Sequence, residues 1–352
     1  MTATLNTTII QNASSSTPNI TLDTAGNALF GGMPYGASSF LRNRIINGSM
    51  GIDQRNAGAS QTITAAALAY TVDRWYAYCT GANVTGQRVT SSGTTVSPSQ
   101  YAYQFTGAAS VTAIGFAQRI EAVNSYDLAG STATLSVNLS NSVLTTVTWT
   151  AYYANTTDTF GTLASPTVTQ IATGTFTVTS TLTRYSTNIS IPSAATTGIQ
   201  ILFTVGAQTS GTWVIGNVQL EAGSVATPFE RRQITNEIVL CERYFQTSYD
   251  FGNAPGSTGS GSNGAPSHVV EATANYPSIQ IIFRTRMRVQ PTMTIYSPNT
   301  GASGKIYSSN ASTDVAGVVG TNGQSGATTY VNNTTIAVAF LIQAHYSAVA
   351  EL

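Results

Sequence analysis

Two acidic residues, Glu121 and Asp127, come nearest to the spacing that hydrolytic chemistry requires. Cleavage of a glycosidic bond needs two carboxyl groups about 5 to 9.5 Å apart, one of which acts as the acid. The pair follows Arg119, however, and an arginine–glutamate pair at a strand end is typical of a structural ion pair. The histidines, His268 and His345, have no nucleophile motif around them and are too few for a metal centre. We therefore expect no enzyme, no metal and no cofactor, with a glycan hydrolase as the least favoured alternative.

Aromatic and planar polar side chains offer a second chemistry, because aromatic rings hold sugars by their C–H faces and polar groups hold their hydroxyls. Trp75, Trp149 and Trp213 lie in alternating segments, which favours burial in a core. The candidates for glycan binding are an out-of-phase tyrosine and four residues that bracket an irregular loop: Tyr152, Tyr249, Asp250, Phe251 and His268. A surface loop without a ligand is the alternative interpretation for the last four.

Three arginines recur at every second position, at Arg284, Arg286 and Arg288. This spacing predicts a strand with the guanidinium groups on one side and less polar residues on the other. Guanidinium groups match phosphates and carboxylates bidentately, so the arginines could hold an acidic saccharide. They could equally face carboxylates across a subunit boundary. We favour the interface, because the other side of the strand would otherwise be a lone buried stripe in a small domain.

The overall composition restricts the partners of the chain. Lys and Arg together number 14, Asp and Glu number 14, and Lys305 is the single lysine. A nucleic-acid binder needs a basic stripe to neutralise phosphates, so that class is excluded. Charged residues make up only 8% of the chain, which gives little electrostatic protection against association and suits a protein that works in an assembly.

Sequence features also bear on the compartment. No apolar run approaches the roughly 20 residues of a membrane helix, so we expect no membrane insertion. The first residues lack the basic and hydrophobic parts of a signal peptide. We therefore expect synthesis in a cytoplasm and exit as part of a particle. The two cysteines, Cys79 and Cys241, favour buried thiols, and the sequence leaves open whether they meet.

Most of the chain predicts strands. Between residues 81 and 220, apolar residues alternate with polar ones, as is typical of antiparallel strands with one buried face. Seven or more such runs, separated by Gly, Pro, Asn and Ser turns, predict a sandwich or jelly roll. After an irregular loop at 249–268, further alternating runs predict a second, smaller β-sandwich.

The stretch 213–245 joins these two regions. Its first part alternates as a strand, and the phase flips at Gly216 and Asn217, which predicts a β-bulge. Residues 227–230 then supply an N-cap threonine, a proline at the first helical position and a carboxylate three residues after the cap. One amphipathic helix over residues 228–248 is therefore predicted.

The predicted helix carries an apolar seam at intervals of four, three and four residues, formed by Ile234, Ile238, Cys241 and Phe245. Seven of the 28 charged side chains (14 basic and 14 acidic) lie between residues 221 and 243. A solvated helix face with a few ion pairs explains this density. A neck at which several copies of the helix meet, with paired charges setting the register, explains it too. We expect the seam and the three arginines to form an oligomer interface.

These patterns together predict an all-β chain in four parts. They are an extended N-terminal attachment arm (1–40) with a short hairpin at 20–30, a jelly roll (41–227), the linking helix (228–248) and a C-terminal β domain at the tip (249–352).

Four segments in this order resemble a family of bacteriophage tail-fibre and virion-surface proteins. They read N-R-I-I-N-G-S-M-G-I-D-Q-R-N at 43–56, V-D-R-W-Y at 72–76, G-N-V-Q-L-E-A-G-S-V-A-T-P-F-E-R-R at 216–232 and E-x-x-L-C-E-R-Y-F at 237–245. Each segment alone is a weak signal, but the compound signature is specific. The middle part of that family looks like a carbohydrate-binding-module jelly roll.

The resemblance implies a virion structural protein, a homotrimeric tail fibre that adheres to polysaccharide or lipopolysaccharide on the host surface. It implies two kinds of protein partner, further copies of this chain and another virion protein that would hold residues 1–40. A decoration or fibre protein on the capsid is the alternative, and a glycan-degrading tail spike is the less favoured one. In each case the expected location is the virion, on the tail or on the capsid surface.

Overall fold

A computed structural model of the chain describes residues 41–91, 99–258, 264–310, 312–332 and 334–352, together with four short strands nearer the start. These strands form one antiparallel sheet in sequence order: β1 (Ile9–Ile10), β2 (Ile20–Leu22), β3 (Ala28–Phe30) and β4 (Met33–Pro34). In it Ile20 lies opposite Phe30, which confirms the predicted hairpin. Its turn and most of the predicted arm lie outside the described residues.

Two six-stranded antiparallel sheets follow. Their strands are β5 (Gln61–Ile63), β6 (Ala69–Tyr70), β7 (Tyr76–Thr80), β8 (Val84–Thr90), β9 (Tyr101–Thr106), β10 (Ala113–Ile120), β11 (Thr132–Asn141), β12 (Thr146–Ala154), β13 (Val168–Thr177), β14 (Thr183–Ser190), β15 (Ile199–Val205) and β16 (Thr212–Ala222). The front sheet has the order β13-β12-β15-β10-β7-β6, and the back sheet has the order β14-β11-β16-β9-β8-β5.

The pairing of the last eight of these strands is that of a jelly roll. The outermost pair in sequence, β9 with β16, lies in the back sheet, and the next pair, β10 with β15, lies in the front sheet. The pairs β11 with β14 and β12 with β13 alternate between the sheets in the same way. A long antiparallel ribbon folded across two sheets gives this connectivity. The jelly roll predicted from alternation is thus confirmed.

Buried aromatic rings fill the space between the two sheets. The Trp75 ring stacks on Phe116 with centroids 4.7 Å apart, and Trp213 stacks on Phe105 at 5.1 Å. All three tryptophans are buried, as their alternating segments predict. Each inward face is apolar because every second residue of a strand points to the same side of its sheet.

The predicted bulge is present in β16. Asn138 of β11 lies opposite Gly216, and Ser136 lies opposite Gln219, so one residue of β11 faces two residues of β16. Asn217 has a φ of 47° there, in the left-handed region that asparagine tolerates better than most residues. The bulge shifts the phase so that Val218 points into the core.

The helix is shorter than predicted, because α1 spans Ile234–Glu242. The expected capping sequence is used for tertiary contacts instead. Thr227 donates through its backbone N–H and its hydroxyl to the Glu221 carboxylate, at 2.9 and 2.6 Å. The Glu230 carboxylate accepts the N–H of Asn43 at 2.9 Å. The prediction of a helix from residue 228 is therefore wrong, since these partners hold the segment extended.

The inward side of α1 is more polar than the predicted seam, because it includes Glu237 and Glu242 beside Cys241 and the partly buried Ile238. Glu237, Cys241 and Glu242 are buried, whereas the side chains of Ile234 and Val239 are 55% and 51% exposed. Glu237 faces the jelly roll, where it accepts the N–H of Asn47. Within the described part of the chain, no helix is both long and apolar enough to span a membrane.

The C-terminal module is a second, smaller sandwich, as predicted. Its strands are β17 (Phe245–Thr247), β18 (Ser267–Val269), β19 (Ser278–Ile282), β20 (Thr292–Tyr296), β21 (Lys305–Ser308), β22 (Thr313–Asn322), β23 (Gly326–Val331), β24 (Leu341–Gln343) and β25 (His345–Val349). They form a sheet of order β17-β25-β20 and a sheet of order β18-β24-β21-β22-β23-β19. Ile279, Ile295, Ile306 and Ile342 belong to the apolar core of this module.

The predicted strand at 284–288 is wrong, because β19 ends at Ile282 and the backbone is then irregular. The backbone N–H groups of residues 284–288 donate to three separate segments of the chain. Arg284 donates to the Gln246 side chain at 3.0 Å, Met287 to the carbonyl of Gln324 at 2.8 Å and Arg288 to that of Arg243 at 2.8 Å. No single neighbouring strand accepts them, so a ladder cannot form.

Candidate functional site

A groove crosses the outer face of the front sheet, on the side away from the core. Its floor comes from β7, β10, β15 and β12, and the loop between β12 and β13 forms one wall. The cavity holds about 370 Å³, within the usual range for ligand sites. We call it the tyrosine groove; its lining includes Tyr76, Tyr78, Arg119, Tyr152, Phe160 and Gln200.

Strand register sets the floor of the tyrosine groove. Arg119 lies opposite Gln200, which in turn lies opposite Tyr152, so these three residues form one row across β10, β15 and β12. Tyr76 lies opposite Ala117 in the neighbouring row. All four point away from the space between the sheets, since the residues of the central core cluster occupy the alternate positions of their strands. Residues far apart in sequence are thus placed side by side.

Gly115 makes room for one of the rings. It lies opposite Tyr78, and a Cβ at Gly115 would lie only 2.2 Å from Cε1 of that ring. The absence of a side chain therefore lets the Tyr78 ring lie directly against Gly115 of β10. This is a steric role for glycine, and Tyr78 lines the groove at this point.

Arg119 and Gln200 tie the floor together. The Tyr76 hydroxyl donates to Oε1 of Gln200 at 2.9 Å, and Arg119 donates through Nε to the same oxygen at 3.1 Å. The Arg119 guanidinium lies over the Tyr76 ring, with Cζ 5.0 Å from the ring centroid. Burial raises the pKa of Tyr76 to about 12, against the opposing effect of Arg119. The phenol is therefore neutral near pH 7.

The wall of the tyrosine groove is held from two sides. Phe160 is buried, and the Cζ atom of Arg119 lies 5.3 Å from its ring. Arg119 also donates through Nη2 to the carbonyl oxygen of Gly161 at 3.2 Å. Leu163 and Pro166 add apolar lining. The wall thus combines apolar contacts with a hydrogen bond to the guanidinium that also holds the floor.

Of the five residues predicted for glycan binding, the structure places only Tyr152 in the tyrosine groove. Tyr249 is buried and stacks on the His345 ring at 3.9 Å. Asp250 and Phe251 are exposed beside α1, where they line a second cavity together with Tyr249. His268 is exposed in β18, opposite Ile342. The four loop candidates therefore do not join Tyr152 in one site.

The predicted interface residues have partners within the chain. Cys241 and Phe245 are buried by the chain itself, which leaves Ile234 as the exposed member of the seam and Ile238 as partly buried. The guanidinium group of Arg284 pairs with Glu242 at 2.9 Å.

The other two arginines also bond within the chain. Arg286 donates to the side chain of Gln324 at 2.9 Å. Arg288 donates to the main-chain oxygens of Ala350 and Glu351 at 2.8 and 2.7 Å. No acidic saccharide is needed to explain where these three guanidinium groups lie.

The two acids considered for hydrolysis are engaged in ion pairs. Arg243 donates to both oxygens of the buried Glu121, at 2.9 and 3.0 Å, and Tyr244 donates its hydroxyl to the same group at 3.1 Å. Asp127 pairs with Arg44 at 2.5 Å. Within the described ranges, no cluster of three His, Cys, Asp or Glu residues could hold a metal ion. Cys79 and Cys241 are both buried free thiols.

The sequence held one signal for the groove residues that were missed. Arg119 and Gln200 each occupy the out-of-phase position of an alternating run, as Tyr152 does, whereas Tyr76 and Tyr78 lie in the continuously apolar run 75–79 and carry no such signal. Such positions face away from a core. Which of them become neighbours depends on the strand order β12-β15-β10-β7. Alternation within single strands does not reveal that order.

No protein-family model matches the chain, and a search of curated proteins finds no match. Solved structures do show similarity. The enzymatically active domain of tailspike protein 4 of bacteriophage CBA120 matches at 18% identity and a TM-score of 0.35. That match covers 52% of this chain and 22% of the tailspike chain.

Carbohydrate-binding modules are also similar. TmCBM61, solved in complex with beta-1,4-galactotriose, matches at 13% identity with a TM-score of 0.33, covering 52% of this chain and 99% of that module. The C-terminal family 22 carbohydrate-binding module of Clostridium thermocellum Xyn10B matches at 16% identity with a TM-score of 0.30, covering 44% and 89%. Because these identities and TM-scores are low, we base the proposed function on the residues of the groove.

Proposed function

We propose that the tyrosine groove binds a neutral saccharide. The observation that carries the proposal is the cavity on the outer face of the front sheet, where the partly exposed Tyr78 and Tyr152 line the groove together with the buried Tyr76, Arg119 and Gln200. Aromatic rings and a few fixed polar groups in a concave site are the usual features of a small-molecule site. Rings suit the C–H faces of a sugar, and the amide suits its hydroxyls.

The charges in the groove favour a neutral sugar over an acidic one. Arg119 is the single charged residue of the lining, and each of its three nitrogens donates to the protein itself: Nε to Gln200, Nη1 to Leu352 and Nη2 to Gly161. Arg119 is also only 8% exposed, so its guanidinium faces the protein and offers little surface to a carboxylate or phosphate of a ligand. Arg119 thus serves as a support for the groove.

The same lining argues against hydrolysis at this site. It contains no Asp or Glu, whereas glycoside cleavage uses a pair of carboxyl groups. Glu121 and Asp127 are held by arginines, as described above. We propose that the chain binds glycan without cleaving it.

The role of the whole chain is part of this proposal: a bacteriophage virion fibre that adheres to glycan on the host surface. It is supported by the four signature segments and by the groove. For the proposed homotrimer, the supporting observation is the outward apolar side of α1, where Ile234, Val239 and the nearby Phe251 are more than half exposed. Apolar side chains grouped on a surface often mark a protein interface.

A glycan array with the whole chain tests saccharide binding. We expect binding to neutral oligosaccharides, with β-1,4-galactotriose and xylohexaose among the probes, and loss of the signal in Tyr152→Ala. Tyr126→Ala is the matched control, because this tyrosine is exposed outside the groove. A signal that Phe251→Ala abolishes and Tyr152→Ala leaves intact would move the site to the loop and refute the groove.

Position on the particle separates the tail fibre from the capsid alternative. An antibody raised against residues 249–352, applied to intact virions, is expected to label the tail of the virion. Label over the head would favour a capsid decoration protein. Absence of label from purified virions that contain the chain by mass spectrometry would contradict an exposed C-terminal module.

A further inference from the structure

The last residues of the C-terminal module reach the jelly roll. Residues 350–352 of this chain, here named the tail and unrelated to the tail of a virion, follow β25, the central strand of the three-stranded sheet. The N–H of Ala350 donates to the carbonyl of Tyr244 at 2.7 Å. Arg288 holds the tail from the same module by donating to the main-chain oxygens of Ala350 and Glu351. The position of the tail is therefore set by the C-terminal module.

The jelly roll grips the other side of the tail. The Glu351 carboxylate pairs with Arg55 at 2.8 Å and with Arg74, and all three side chains are largely buried. The main-chain oxygen of Leu352 accepts the Tyr70 hydroxyl at 2.9 Å. Buried, charge-assisted hydrogen bonds of this kind are stronger than neutral ones.

One further bond links the tail to the tyrosine groove. Arg119 donates through Nη1 to the main-chain oxygen of Leu352 at 2.7 Å. Its other nitrogens hold Gln200 in the floor and Gly161 in the wall, and its guanidinium lies over Tyr76. A continuous set of hydrogen bonds thus runs from the C-terminal module to both sides of the groove.

We propose that the tail is a positioning element for the tyrosine groove. The tail fixes Arg119, and Arg119 fixes Gln200 and the Gly161 wall in the arrangement that accepts a saccharide. Binding in the groove and docking of the C-terminal module are then coupled, and each strengthens the other, because a coupling free energy is reciprocal. The saccharide part of this inference rests on the proposed function, whereas the effect of the tail on the wall does not.

Two neighbouring arginines provide a matched test. Arg288→Lys keeps the charge but loses the planar fork that bonds two tail oxygens. Arg286→Lys is the control, because the Arg286 guanidinium bonds Gln324 and makes no bond to the tail. The first measurement is backbone hydrogen exchange across residues 159–167. We expect faster exchange there in Arg288→Lys and wild-type exchange in Arg286→Lys.

The second measurement is calorimetric titration of the same proteins with β-1,4-galactotriose and with xylohexaose. We expect Arg288→Lys to raise the dissociation constant about fivefold or more, as typical coupling between sites does, and Arg286→Lys to leave it unchanged. Tyr70→Phe removes only the hydroxyl that bonds Leu352. If Arg288→Lys does not fold, the same two measurements on Tyr70→Phe test the proposal.

The outcomes separate the two proposals. Unchanged exchange in the 159–167 wall of folded Arg288→Lys and Tyr70→Phe would overturn the positioning role, whether or not sugar binds. Faster exchange with no sugar bound by the wild type would support the positioning role and count against the saccharide function. Faster exchange with unchanged sugar affinity would overturn the coupling.

Discussion

Replacing Gly115 by alanine should weaken binding in the tyrosine groove by displacing one side chain, that of Tyr78. The new Cβ would lie 2.2 Å from Cε1 and 2.3 Å from Cζ of Tyr78. Carbon atoms pack at about 3.5 Å or more, so the ring must retreat by about 1.3 Å. The sheet lies on its other side, so the ring can only move outward into the groove.

The size of the effect follows from what a displaced ring loses. An aromatic contact contributes about 0.5–1.5 kcal/mol, which corresponds to a roughly two- to tenfold rise in the dissociation constant. Overpacking costs about 1–3 kcal/mol, and replacing glycine in a strand returns about 0.5–1 kcal/mol. We therefore expect a small loss of stability, about 1 kcal/mol, alongside the weaker binding.

Titration calorimetry with the best oligosaccharide from the array measures the affinity, and urea unfolding measures the stability. Gly206→Ala is the control, because a Cβ there would have no atom within 4 Å. In a Tyr78→Ala background, Gly115→Ala should change the affinity no further, since the ring through which it acts is gone. If Gly115→Ala binds as tightly as Gly206→Ala, the Tyr78 ring does not contact the sugar and the reasoning is refuted.

Three further predictions concern stability and assembly. Burial raises the pKa of Asp73 to about 6, above its value in the unfolded chain, so its contribution to stability is greatest below about pH 4 and is lost as the pH rises through 6. The rise in melting temperature on acidification from pH 7 to 5 should therefore shrink in Asp73→Asn. An unchanged rise would contradict the raised pKa of Asp73. Glu121→Gln should lower the unfolding free energy by about 1–2 kcal/mol by breaking the paired contact with the partly exposed Arg243, and it should leave any release of reducing ends from polysaccharide unchanged. Val239→Glu should reduce the mass measured by light scattering from trimer to monomer, while the equally exposed Val143→Glu should not; a monomeric wild type at micromolar concentration would refute the trimer.

Alternation within single strands was enough to predict the sandwich. It also predicted the burial of Trp213 and the bulge at Asn217, because both follow from the period-two pattern of one segment. The groove was beyond this reasoning. Tyr76, Arg119 and Gln200 come from three strands, and only the pairing of those strands brings them together.

The beginning of the helix shows the opposite error, a local signal overridden by tertiary contacts. Residues 227–230 carry a good capping pattern, yet Thr227 bonds to Glu221 and Glu230 bonds to Asn43. A cap stabilises a helix by about 1 kcal/mol, so several hydrogen bonds to the jelly roll outweigh it. The buried Glu237 follows from the same cause, because its partner, the N–H of Asn47, lies in the jelly roll.

The signature segments have a structural role of their own, since several of their polar residues link the modules. Asn47 donates its backbone N–H to Glu237 of α1, Arg74 pairs with Glu351, and Arg232 donates to the carbonyl of Ile45 at 3.2 Å. Buried polar groups require every partner in place, so these segments specify one placement of the helix and the tail on the jelly roll. The groove wall lies outside all four segments. A sequence can therefore keep the signature, and with it the arrangement of the modules, while its wall residues change the saccharide that fits.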